Sequence, residues 1–115
     1  MSYHIQQPLQ QQKCIPCEVG GPPLSPIEVN ILRNQVPDWV PAADSLSISR
    51  KWKFENFKQA LAFVNQVGAI AESEGHHPDI SFGWGYVEIK LLTHEVGGLS
   101  NNDFIVASKI DLIPL

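Results

Sequence analysis

From Ser47 to Phe54 the chain alternates. Ile48, Arg50, Trp52 and Phe54 share one parity, and Ser49, Lys51 and Lys53 hold the other. Period-two alternation predicts a strand with one dry and one wet face, and Arg50 is the odd member of the dry side. The period changes after Asn56. Phe57, Leu61, Val64, Val67 and Ala71 recur at helical spacing, with Phe63 and Ile70 widening the stripe, which predicts a long helix over 56–73. Gly75 supplies its C-terminal break. A shorter helix is signalled upstream by Ser25 as N-cap, Pro26 at N1 and Glu28 at N3, ending near Val36 before Pro37. Trp39-Val40 reads as a short edge strand limited by Pro41. Ile80 and Phe82 predict a strand broken at Gly83, and Val87, Ile89 and Leu91 predict a stronger one over 86–93. Gly97-Gly98 turns the chain, and Ser100 with Asp103 caps a last helix running to about Ile110.

These elements sum to α-β-β-α-β-β-α. The expected class is α+β: a two-layer sandwich of a four-stranded, mostly antiparallel sheet with three helices on one face. Residues 1–23, rich in Gln and closed by Gly20-Gly21-Pro22-Pro23, read as a flexible extension, and 24–115 as a single domain. At 115 residues there is room for one domain and one modest core.

Charge and cysteine content narrow the partners. Eight basic against twelve acidic residues give a net charge of −4, and no long basic stripe exists, which disfavours nucleic acid as a direct partner. No apolar run approaches a membrane span and no signal core opens the chain, so a cytoplasmic protein is expected. Cys14 and Cys17 form one C-x-x-C in loop context, compatible with a reducing compartment. A zinc protein using this pair is a further reading, tested by elemental analysis.

Candidate chemistry concentrates in the histidines. His4 lies in the leading segment, whereas His76, His77 and His94 occupy one region of the domain. Imidazole titrates near neutrality and passes protons either way, so two such groups flanking a small ligand can deprotonate one atom and protonate another. The same residues allow two blander readings, a metal site or loop hydrogen bonding. Adjacent side chains in an extended segment point apart, and no H-E-x-x-H is present, so metal is disfavoured. Glu72, four residues before His76, is placed to orient an imidazole, and Asp79 to cap a turn. Asp103 reads either as a helix N3 partner or as a polar wall near the His94 loop. Trp39, Phe82 and Trp84 are aromatics suited to a flat ligand, although Trp52 reads as core.

The run Glu72-Ser-Glu-Gly-His76-His77-Pro78-Asp79, followed by Thr93-His94-Glu95, Gly97-Gly98-Leu99-Ser100 and Asp103, resembles the pterin-4a-carbinolamine dehydratase family. The resemblance covers roughly Pro23 to Leu112, and Cys14-x-x-Cys17-x-x-Gly20-Gly21 is similar to an N-terminal extension of some bacterial members. It implies a dehydratase with no cofactor and no metal that converts 4a-hydroxytetrahydropterin to quinonoid dihydropterin, recycling pterin after aromatic amino-acid hydroxylation. It implies catalytic roles for His76, His77 and His94, with Glu72, Pro78, Asp79, Ile80, Ser81, Trp84, Asp103 and Trp39 at the substrate. Trp84 stands where many relatives carry tyrosine. The sequence leaves open which histidine is acid and which is base. The family commonly forms dimers, some paired into tetramers, so a homodimer or homotetramer and a functional link to an aromatic amino-acid hydroxylase are expected. The alternative is a non-catalytic dimerisation or regulatory binding module.

Overall fold

The computed structural model describes residues 7–115; His4 lies outside them. Its main elements are α1 (Pro26–Arg33), β1 (Val40–Pro41), β2 (Ile48–Lys53), α2 (Phe57–Glu74), β3 (Asp79–Gly83), β4 (Tyr86–Leu91) and α3 (Asn101–Ile110). Two short 3-10 turns, Leu9–Gln11 and His94–Val96, complete the chain. The order is the expected α-β-β-α-β-β-α.

All four strands pair antiparallel in the order β1-β2-β4-β3. Register aligns Ile48 with Leu91, Arg50 with Ile89 and Trp52 with Val87, and then Ile89 with Ile80 and Val87 with Phe82. One face is therefore continuous and apolar, while Lys51, Lys53, Glu88 and Lys90 leave the other in water. Arg50 sits on the dry parity because it has partners there. It reaches Asp111 at 2.6 Å, lies 3.6 Å from Asp38, and stacks over the Trp52 ring.

The caps act where the sequence puts them. Ser25 and Glu28 form a reciprocal capping box on α1, which ends at Arg33, earlier than the expected Val36. Asn56 accepts from the Gln59 amide at the start of α2, and Gly75 closes α2 in the left-handed region at φ 64°. The buried stripe of α2 is Ala60, Phe63, Val67 and Ala71. It is rotated from the expected one, and Phe57 and Leu61 stay partly exposed. The helix carries apolar residues on two flanks, so periodicity alone does not choose which flank meets the sheet.

The segment before α1 lies along the domain. Leu9 is buried in the core, and its amide donates to Gln35 Oε1 at 3.2 Å. Further on, Gly20 N–H donates to the Glu95 carbonyl and Leu24 N–H to the Leu99 carbonyl. Among the described residues no helix is long and apolar enough to cross a membrane.

Candidate active site

The site forms where three chain segments end together. Gly75 stops α2 and releases His76-His77-Pro78, which enters the edge strand β3 as extended chain. Thr93 follows β4 on the same parity as Val87, Ile89 and Leu91, so its side chain points inward and is buried. The loop from Thr93 to Gly98 is tied by the Thr93 N–H to the Gly98 carbonyl at 2.7 Å, with Gly97 left-handed at φ 66°. Gly98 has no room for a side chain, because a Cβ there would stand 2.7 Å from Pro23 Cβ. The third segment is the first turn of α3, which carries Asn102 and Asp103.

Asp103 is the hub. Its carboxylate has no solvent exposure and accepts three bonds. His76 Nε2 lies 2.6 Å from Oδ1, while Thr93 Oγ1 at 2.7 Å and the Ser100 amide at 2.9 Å reach Oδ2. Asp103 is thus both the N3 partner of α3 and the partner of His76. A carboxylate only accepts, so His76 carries its proton on Nε2 when neutral, and Nδ1 is left as the basic nitrogen. The His76 side chain is 11% exposed. A second imidazole–carboxylate pair, His77 Nε2 to Glu72 Oε1 at 2.6 Å, sits beside it in solvent, where such a pair is weakly held. His94 opens the 3-10 turn directly after Thr93 and is exposed. Its backbone is therefore one residue from the hydroxyl that shares Asp103 with His76.

A cavity of about 270 Å³ adjoins this hub, and Glu74, His76, Thr93 and Glu95 are among its lining residues. Glu74 is nearly buried, and burial pushes its carboxyl up. The 2.7 Å bond from Lys109 Nζ and the 2.9 Å bond from the Cys14 amide outweigh this and hold it below the ordinary carboxylate range. Burial, with Glu74 close by, pushes the Cys14 thiol up to about 12. Among the described residues no group of three or more His, Cys, Asp or Glu is placed to hold a metal ion.

Glu72, His76, His77, Asp103 and the His94 turn are brought together. Pro78 is half-buried at the junction, Asp79 and Ser81 face the wet side of β3, and Ile80 packs against the core. The two tryptophans singled out from the sequence lie apart from this cluster. Trp39 is fully buried, edge-on to Trp52, with its indole N–H on Asp111 Oδ1 at 2.8 Å, so it offers no surface to a ligand. Trp84 is 74% exposed in the β3–β4 turn, about 16 Å along the strand from Asp79 at the usual rise. Thr93 and Asn102 carry no role in the sequence reading. A polar residue on the inward parity of a strand was the available signal for Thr93; nothing in the pattern marks Asn102.

Comparison with known proteins places the chain in a family. The family described as "Pterin 4 alpha carbinolamine dehydratase" matches residues 22–113. A Rubrobacter xylanophilus protein provisionally named pterin-4-alpha-carbinolamine dehydratase is 46% identical over 103 residues, covering 90% of this chain and 95% of its own. A Halorhodospira halophila protein with the same provisional name is 44% identical over 105 residues, covering 91% and 96%. Among solved structures, a Brucella melitensis protein described as a transcriptional coactivator/pterin dehydratase is similar, with a TM-score of 0.72 and 28% identity over 77% of this chain and 95% of that one. A pterin dehydratase-like protein described as a RuBisCO assembly factor in the alpha-carboxysome matches less closely, with a TM-score of 0.55 and 25% identity over 64% and 86%.

Proposed function

Since this chain belongs to the pterin 4 alpha carbinolamine dehydratase family, we propose that it removes water from 4a-hydroxytetrahydropterin by histidine acid–base catalysis. The proton on N5 leaves to a base, its electron pair forms the N5=C4a bond, and the C4a–O bond breaks. The departing hydroxyl takes a proton and leaves as water, giving quinonoid dihydropterin. Atoms and electrons balance without a redox partner.

The observation that carries this reading is the His76–Asp103 pair. A buried, threefold-bonded carboxylate fixes the imidazole and holds its proton on Nε2, which leaves Nδ1 to take the N5 proton. His94 protonates the departing oxygen, and His77, steadied by Glu72, polarises the hydroxyl. Backbone groups from His77 to Ser81 lie along the open edge of β3 and are available to the ring's amide edge. The reading sets the protein in tetrahydropterin recycling beside an aromatic amino-acid hydroxylase, as a cytoplasmic homodimer or homotetramer.

The test is stopped-flow dehydration of freshly generated carbinolamine, which also dehydrates unaided. The chain should raise the rate in proportion to enzyme concentration; a rate equal to the unaided one overturns the proposal. A binding-only module is the second reading, favoured by the neighbour whose description joins coactivator to dehydratase. It predicts a folded oligomer without that acceleration.

A further inference from the structure

The segment carrying the C-x-x-C motif is fastened across the elements that build the site. Asn102 brackets it with two reciprocal bonds: the Ile15 amide donates to Oδ1 at 3.1 Å, and Nδ2 donates to the Ile15 carbonyl at 2.5 Å. The same Nδ2 lies 3.4 Å from Cys17 Sγ. The Cys14 amide donates to Glu74 at the end of α2, two residues before His76. The Gly20 amide donates to the carbonyl of Glu95, next to His94. Residues 14–17 are thereby held in the lining of the cavity that His76, Thr93 and Glu95 also line.

The two sets of lining residues differ in chemistry. The hub side presents carboxylates, an imidazole and a hydroxyl. The strap presents Ile15, Pro16 and two sulfurs, with Ile15 71% exposed at the rim. A bicyclic pterin is polar at its edges and apolar on its faces. A site of this kind usually combines a few placed polar groups with an apolar cover.

Resting on the dehydratase reading, we propose that residues 14–17, pinned by Asn102, form a strap that covers the bound pterin and positions it against His76. The cysteines serve as soft, small wall residues of this strap. Asn102 is a positioning residue, since it acts through the strap. The strap contributes mainly to binding, because it carries none of the groups assigned to proton transfer.

The test uses the full chain and three readouts. Asn102→Ala removes its three side-chain bonds to the strap, and Pro16→Gly loosens the strap without altering α3 itself. Either variant should raise KM at least about fivefold with kcat reduced less than about threefold, a split that a general loss of structure does not produce. Affinity for a stable oxidised pterin, read by fluorescence quenching, should fall in parallel. In the parent chain, saturation with that pterin should slow alkylation of Cys17 at least about fivefold by covering it. If Asn102→Ala does not fold, Pro16→Gly and the alkylation footprint decide alone. Dehydration with unchanged KM in the variants and an unprotected Cys17 overturns the strap and leaves the dehydratase reading standing. A parent chain that neither dehydrates nor binds pterin overturns both.

Discussion

Asp103→Asn changes one atom and inverts the logic of the hub. Oδ2 receives two donors, the Thr93 hydroxyl and the Ser100 amide, so the oxygen of the new carboxamide stays on that side. The NH₂ then faces His76 Nε2, where the native carboxylate stood at 2.6 Å. An amide donor there forces Nε2 to accept, moves the ring proton to Nδ1 and removes the base. Restoring the working tautomer requires flipping the amide. The Thr93 hydroxyl can then turn to accept from the NH₂ and donate to Ser100 Oγ, but the Ser100 backbone amide is left facing a donor. One such buried loss costs about 1–3 kcal/mol, so kcat/KM should fall between about 5-fold and about 150-fold. Stability should change by less than about 1 kcal/mol, because every buried group keeps a partner. The assay is stopped-flow dehydration alongside urea unfolding. A folded Asp103→Asn chain with kcat/KM within twofold of the parent refutes the tautomer argument.

Other expectations concern the scaffold and its charges. Asp111→Ala leaves the buried Trp39 indole N–H and the Arg50 guanidinium without their acceptor, and should cost about 1–3 kcal/mol in denaturant unfolding; a loss below a few tenths contradicts the account. Gly98→Ala drives a Cβ into Pro23 and Leu46 and should cost about 1–3 kcal/mol in the same assay, with lower activity because the His94 turn hangs on that loop; an unchanged melting temperature contradicts it. Glu74 has a lowered folded pKa, so its stabilisation is full above its ordinary value of 4.5 and is lost as pH falls through the lowered one. Parent and Glu74→Gln should therefore converge in stability on acidification below that value, and a gap that stays constant or widens there contradicts the assignment.

Much of this architecture is written locally. Ser25-Pro26-x-Glu28, Asn56, Gly75 and Ser100 act within a few residues of where they stand, so the helix starts and the stop of α2 are legible, whereas α1 ends at Arg33, short of the expected Val36. The alternation in β2 and β4 fixes their dry faces, and register then follows from burial. What the sequence hides is nonlocal. The buried stripe of α2 depends on which apolar flank the sheet meets, and that choice belongs to the whole core. Trp39 reads as a ligand aromatic until its indole finds Asp111, 72 residues away. Residues 9–20 meet distant partners, among them Gln35, Glu74, Glu95 and Asn102, a class of interaction that leaves no period in the chain. At the site, the histidine cluster and its acidic neighbours are visible as types and spacing. That Asp103 joins His76 to Thr93 comes only from three chain segments ending at one place.

The most direct measurement is kcat/KM for carbinolamine dehydration in His76→Ala and His94→Ala, each checked for native folding and oligomeric state. Both should lose at least about 100-fold, the scale of a positioned acid or base. Full activity retained in both variants contradicts the assignment of proton transfer to these two imidazoles.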